Sequence, residues 1–435
     1  MNRWFFPLCL SVLPAALCAA APLTMEKKAE LFQADMEARF LLEGQTLCKL
    51  KHAGPDKEFI DYNMPDNAYM TGIYTATLSM KYAATKAPED LEKARQSLRA
   101  LHLLCTVSGE PGLLARAAWP KERPSRDDGI WRDSPDGVHR WRGDVSTDQV
   151  DGVMFGFFFA FDLVADDAEK RMIAKDVAAM ADRIVAHDLR IVDIDGKPTQ
   201  WGKYYPSHVR MMEKMNALLW LQVCKVAAHV TGDAKHAELY RRYAVDEKYA
   251  EIAVDARRTF NPLFPGAVNH SDDVLLYLAY TPLLALETDP ALRGLYEKSA
   301  RRAWDGNGKF SGVAPEGNPF YAFAMAKHLG EVSGVDAGVN TLRWFPLHMK
   351  MNRSVIAAFE ASHGFVYDPA PVSPEPAKDS VIPVDRRQKT WSAWVQNPYQ
   401  ARGDDAVDES MEFNGHDYLL GYWMGRHYGY VGTGE

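Results

Sequence analysis

Carboxylates, imidazoles and aromatic rings recur where the apolar helical runs of this 435-residue chain begin. Asp61 and Asp66 precede one run, Asp144 and Asp148 the next, and Tyr204, Tyr205 and His208 a third. His270, Asp272 and Asp273 open a fourth, Glu316 precedes a fifth, and Glu412 and His416 stand at the last. Gathered at one mouth, such groups suit sugar chemistry. Glycosidic cleavage needs one carboxylic acid to protonate the leaving oxygen and a second carboxylate as base or nucleophile. Asp144 and Asp148 read as that pair, with Asp151 three residues beyond Asp148 and on the same helical side. Carboxylates crowded against an apolar wall push one pKa upward, which keeps an acid protonated near neutrality. The same residues also have a plainer use. Asp, Ser and Thr accept hydrogen bonds from the free N–H groups of a helix start, and Asp66, Ser146, Thr147 and Asp272 are all placed to do so.

Two loops add binding chemistry. Between Arg116 and Arg142 lie Lys121, Arg123, Arg126, Arg132 and Arg140, interleaved with Trp119, Trp131 and Trp141, in a chain whose net charge is -8. Guanidinium forks grip carboxylate or sulfate and indole faces stack on sugars, so Arg140 and Trp141 fit an anionic glycan. Asp127, Asp128, Asp133 and Asp136 in the same loop could instead neutralise those arginines internally. The second loop, Trp201-Gly-Lys-Tyr-Tyr-Pro-Ser-His208, offers Trp201 and Tyr204 as a stacking platform. Tyr205 and His208, with Arg140, would serve a lyase that removes the proton beside a uronic carboxylate; alternatively Trp201 and one tyrosine only seal a hairpin. Asp66, Asp273, Glu316, Glu412 and His416 complete the expected substrate-binding set.

The elements that must position these groups alternate between two kinds of helix. Residues 150–165 are apolar nearly all round and predict a helix buried on most sides. Over 168–189, Ile173, Val177, Met180, Ile184 and Leu189 recur at helical steps among charges, which predicts an amphipathic partner joined to it as an antiparallel hairpin. The pairing recurs at 67–84 with 89–107, 208–230 with 235–260, 273–287 with 291–304, and 318–332 with 336–350. The unpaired helices at 416–428 and 25–47 would form a sixth hairpin from both chain ends. Long insertions at 108–146 and 365–412, the latter with five prolines over 369–389, read as functional loops or surface excursions.

This alternation resembles the six-hairpin glycosidase superfamily, the (α/α)6 toroids of many glycoside hydrolases, polysaccharide lyases and sugar epimerases. The hairpin 144–202 and the closing segment Gly415-His-Asp-Tyr-Leu-Leu-Gly-Tyr-Trp-Met-Gly-Arg-His-Tyr carry the resemblance. It implies an all-α toroid over most of residues 22–435 as one domain. No catalytic residue carries over by motif.

Composition bounds the rest. A 47% apolar, 25% charged chain is globular, and the negative balance argues against a nucleic-acid partner. Met-Asn-Arg, the apolar stretch Trp4–Cys18 and Ala19–Ala21 read as a cleavable signal over 1–21, giving an exported, periplasmic or secreted protein with no integral membrane segment afterwards. Leu17 before Cys18 disfavours a lipid anchor. Cys48, Cys105 and Cys224 form no disulfide framework and no ligand spacing, so neither metal nor cofactor is expected. The reading is a carbohydrate-active enzyme that cleaves a polysaccharide or oligosaccharide by hydrolysis. A β-eliminating lyase on a uronic-acid glycan, a non-catalytic glycan-binding protein and a helical protein without ligand are the alternatives.

Overall fold

The computed structural model describes residues 23–51, 61–258, 260–261, 264–307, 311–347, 350–351, 353–363, 372–387, 392–399 and 411–435. The expected signal over 1–21 and much of the 365–412 insertion lie outside these residues. The described helices are α1 (Met25–Arg39), α2 (Asn67–Thr85), α3 (Pro88–Thr106), α4 (Thr147–Leu163), α5 (Asp167–Ala186), α6 (Pro206–Met211), α7 (Met215–Thr231), α8 (Ala234–Arg241), α9 (Tyr249–Ala253), α10 (Ser271–Leu286), α11 (Pro290–Asp305), α12 (Pro319–Leu329), α13 (Val335–Trp344), α14 (Arg353–His363) and α15 (His416–Tyr428).

Short turns with strong stop and start signals make the hairpins. Asp166 caps α5 in a reciprocal arrangement with Glu169, and Asp233, Asp289 and Asn318 accept from the first N–H groups of α8, α11 and α12. Gly232 and Gly330 take the left-handed conformation that ends α7 and α12, at φ 62° and 67°. Turns of two to five residues leave the helices of each hairpin no choice but to pack antiparallel.

The apolar helices then close a ring. α2 packs on α4, α4 on α7, α7 on α10, α10 on α12, α12 on α15, and α15 returns to α2. α1 packs on α15, so the first and last helices form the sixth hairpin. The Tyr418 hydroxyl donates to the Met25 carbonyl (2.8 Å) and the Glu26 N–H to the Glu435 carbonyl (2.9 Å), pinning the two chain ends together. The architecture is the expected all-α toroid, with the amphipathic helices outside. Among the described residues no helix is long and apolar enough to cross a membrane.

The α2–α4 contact is the closest in the ring, and glycine explains it. Cβ atoms added at Gly152 and Gly156 would lie 2.6 Å from the carbonyl oxygens of Tyr69 and Gly72. Only a seam without side chains lets the backbones approach so closely, and that approach brings the starts of α2 and α4 together.

All six inner helices start at one end, where small sheets decorate the loops. Strands 49–51, 61–63 and 411–413 form one antiparallel sheet, 117–120, 139–142 and 131–133 a second, and 190–192 pairs with 198–203. Four boundaries differ from expectation, the first being the helix expected over 25–47, which ends at Arg39 before the strand pair 41–42 with 45–46. The third inner helix begins at Met215, because Pro206 starts a separate short helix that ends before it. The fifth outer helix ends at Trp344, with Pro346 close behind, and α14 follows separately. The third outer helix is broken: α8 runs into a π-turn over Arg242–Asp246 before α9.

Candidate functional site

Asp66 occupies the N-cap position of α2 but makes no capping hydrogen bond with its side chain. Its carboxyl turns toward α4 instead. Oδ1 accepts from Gln149 Nε2 at 3.3 Å and lies 3.9 Å from an Arg116 nitrogen, and the Cys48 thiol donates to Oδ2 at 3.8 Å. The side chain is 34% exposed, so one side stays open to the mouth. Asp148, in the first turn of α4, accepts from Ser146 Oγ and, at 2.9 Å, from the Gln149 N–H. Burial, and after it the Asp148 charge, raise the Asp66 pKa above the ordinary carboxylate value, against the opposing pull of Lys49, Arg116 and Arg142.

Asp151 lies one turn below Asp148 and is fully buried. Neither carboxylate oxygen has a hydrogen-bond partner among the described residues, while Gln222 Nε2 reaches its main-chain carbonyl at 3.2 Å. Burial, reinforced by the Asp148 charge, pushes the Asp151 pKa well up, against a lowering contribution from Gln222.

Tyr69, which the sequence reading missed, completes the group. It follows Asp66 by three residues and faces the same side of α2. Burial raises its phenol pKa well above 10, and the charges of Asp151, Asp148, Asp66 and Asp272 add to this. Those four acids come from two inner helices and the cap of a third. A tyrosine so surrounded stays protonated and acts as a donor. The helical spacing from Asp66 was the available signal.

Arg116 clamps this corner rather than facing it. Its guanidinium donates to the main-chain carbonyls of Asp144 (2.6 Å) and Pro65 (2.9 Å) and to Ser146 Oγ (2.9 Å), tying the entrance of α2 to that of α4.

A second cluster sits at the start of α10 and just before α12. Arg258 bridges Asp273 Oδ2 and Glu316 Oε1, the latter at 3.1 Å. Burial raises Asp273 well above its ordinary value and brings Glu316 to about 7, while burial followed by the Arg258 and Arg387 charges lowers His270 to about 4. Donor atoms of His270, Asp273 and Glu316 all lie within 4.8 Å of one another, which marks these three as able to hold a metal ion. Arg258, in the loop five residues beyond the end of α9, carried no signal in the sequence.

Several expectations are corrected. Asp144 does not pair with Asp148: it sits at φ 55°, its Oδ1 accepts from the Gln200 N–H (3.0 Å) and its own N–H donates to Asp193 (2.9 Å). Asp66, rather than Asp144, is the acid whose pKa the Asp148 charge raises: the glycine seam brings α2 against α4, while Asp144 is held by the 190–203 hairpin. Trp141 is fully buried with Arg132 5.2 Å above its ring, and Tyr204 is fully buried against Trp220, so neither is a stacking face. The loop cations are largely spent internally: Arg142 binds Asp127, Arg132 binds Asp193 and Lys121 binds Asp133. Arg140 covers Trp131 at 5.2 Å, and Arg190, not Arg140, lies 4.1 Å from the centre of the Tyr205 ring. His208 meets Glu213 at 3.3 Å and lies 5.4 Å from the Tyr205 ring with the planes tilted by 44°. The trio Tyr205, His208 and Arg140 is therefore not assembled as a lyase site. Glu412 is spent on Arg39 (2.6 Å), and buried His416 on Asn414 (2.5 Å), which makes both supports of the mouth. Trp201 is 54% exposed and remains available to a ligand.

No protein-family model matches this chain, and no curated protein matches it in sequence. Solved structures do. A GH76 α-mannanase from Bacteroides thetaiotaomicron is 8% identical over 94% of this chain and 96% of that chain, with a TM-score of 0.46. A sugar epimerase from a ruminal bacterium is 10% identical over 93% and 99%, with a TM-score of 0.46. An unsaturated glucuronyl hydrolase specific for heparin is 10% identical over 93% and 98%, with a TM-score of 0.44.

Proposed function

We propose that the chain is a glycoside hydrolase acting on an oligosaccharide or polysaccharide, with Asp66 and Asp148 as its carboxyl pair. The observation that carries the reading is their placement: the two acids stand at the starts of neighbouring inner helices, Gln149 links the two starts, and the Asp148 charge adds to burial in raising the Asp66 pKa. Asp66, open on one side, would protonate the glycosidic oxygen. Asp148 would act as base or nucleophile, and the Tyr69 phenol would donate to a substrate oxygen between them. Asp151, fully buried one turn below Asp148, lies too deep to touch substrate and serves as a positioning residue. Trp201 would stack on a sugar at the rim. The basic, apolar and small-residue order over 1–21, read as a cleavable signal, would place the action outside the cytoplasm.

The test incubates residues 22–435 with neutral and uronic polysaccharides and follows reducing ends and ultraviolet absorbance together. Hydrolysis gives reducing ends without new absorbance, and Asp66→Asn or Asp148→Asn lowers kcat by roughly 100-fold or more. An unsaturated, absorbing product, or full activity in both variants, would defeat the reading.

A further inference from the structure

We propose that His270, Asp273 and Glu316 form a binding site for one divalent cation of the zinc and manganese class, with Arg258 as the outer donor that orients both carboxylates. This inference stands apart from the hydrolase reading, since none of the three belongs to the Asp66–Asp148 pair.

The geometry is that of a partly gathered triad. The three donor atoms lie within 4.8 Å of one another, although 46 residues of sequence separate His270 from Glu316. An ion about 2.0–2.2 Å from each donor would hold them roughly 3.4 Å apart. Rotations of side chains that shift their tips by about an ångström close that gap. A nitrogen ligand beside two carboxylates selects zinc, manganese and their neighbours over magnesium and calcium, which prefer oxygen alone.

Buried groups without partners point to a ligand independently of the acids. His270 is 6% exposed, and its Nδ1 is buried with no hydrogen-bond partner among the described residues. The Tyr321 hydroxyl, also fully buried and unpartnered, is close enough to Asp273 and Glu316 for both to act on its pKa. Leaving such a group buried and unsatisfied carries the full desolvation penalty of that group, and a bound ion with its own ligands would account for the imidazole. A purely structural ion-pair network explains the carboxylates but leaves His270 without a role.

Arg258 is the obvious competitor, and its bonding pattern decides its part. It engages one oxygen of each acid, Asp273 Oδ2 and Glu316 Oε1. The second oxygens, Oδ1 and Oε2, have no hydrogen-bond partner among the described residues and can face an ion. Carboxylate ligands held from behind by a donor are the usual second layer of a metal site. The ion would join the start of α10 to the segment before α12, at the same end of the toroid as the Asp66 corner.

The test uses protein freed of metal by chelator and dialysis, titrated calorimetrically with Zn2+, Mn2+ and Ca2+. One Zn2+ or Mn2+ per chain, bound more tightly than Ca2+ and raising Tm, is expected. His270→Ala and Glu316→Gln should each weaken binding by roughly tenfold or more, while Asp66→Asn leaves it unchanged. Co2+ on the unmutated protein should give visible bands without a thiolate charge-transfer band, a readout that does not depend on the variants folding. No stoichiometric binding of any ion, affinity unchanged in both variants, or Ca2+ bound as tightly as Zn2+ would overturn the proposal.

Discussion

The same chemical change, glycine to alanine, should have opposite effects at two helical positions of this toroid. Gly156 lies in the α2–α4 seam, where an added Cβ would meet the Gly72 carbonyl oxygen at 2.6 Å, about 0.8 Å inside the ordinary contact limit of 3.4 Å. Both partners are backbone, so relief requires the two helices to move apart. Overpacking of this kind costs about 1–3 kcal/mol, against which better helix propensity returns up to about 1 kcal/mol. Gly294 lies in the exposed face of α11 with nothing within 4 Å, so alanine there gains about 1 kcal/mol without penalty. At about 2.1 cal/mol/K of unfolding entropy per residue, a chain of this size shifts Tm by roughly 1 °C per kcal/mol. Calorimetry on the two variants should therefore show a small loss for Gly156→Ala and a gain of about 1 °C for Gly294→Ala. The catalytic assay should separate them further, because parting α2 from α4 displaces Asp66 from Asp148. A Gly156→Ala protein with unchanged Tm and unchanged turnover would refute the seam argument.

Three further outcomes follow from the same contacts. Asp151 holds its proton in the folded protein at pH values where the unfolded chain, with a pKa near 3.8, has lost it. Its native pKa is raised, so the folded state keeps a proton that the unfolded chain loses, and stability falls as pH rises from about 3.8 through the native pKa; Asp151→Asn should therefore be stabilised relative to the parent at pH 7, with the difference vanishing near pH 4 in denaturant titrations. Lys350 and Asp417 form a fully buried ion pair at 3.2 Å, and Asp417 also holds the Ala393 N–H, so Lys350→Ala should cost about 3–5 kcal/mol and speed proteolysis around 392–395. Trp201→Ala should leave stability within about 0.5 kcal/mol while raising KM for an active glycan, and an unchanged KM would remove Trp201 from the binding surface.

How much of this was legible before the structure depends on the range of the interaction. The alternation of apolar and amphipathic helices follows from local periodicity, and it was enough to pair Met25–Arg39 with His416–Tyr428 across the whole chain. Helix starts fixed by side-chain chemistry, such as Asp166 with Glu169, were equally readable. The break at Pro206 was in plain sight as a residue but was overridden by the apolar run that follows. The carboxyl pair was not legible as a pair, because Asp66 and Asp148 are brought together by Gly72, Gly152 and Gly156 on two different helices. A spacing argument favoured Asp144 over Asp66 since it saw only neighbours along the chain. The Arg-rich loop shows the same limit: Arg132 finds Asp193 and Arg142 finds Asp127 only once the sheets form. Tyr69 was within reach of the helical repeat from Asp66, whereas Arg258 and its bridge to Asp273 and Glu316 needed the ring to close.

The hydrolase reading stands on Asp66 and Asp148 acting on a glycosidic bond without elimination. Reducing ends and ultraviolet absorbance, followed together for the unmutated protein and for Asp148→Asn on an active glycan, test it most directly. The account predicts reducing ends with no absorbance from the first and roughly 100-fold slower release from the second, with the fold intact. Release of an absorbing unsaturated product, or undiminished turnover by Asp148→Asn, would contradict it.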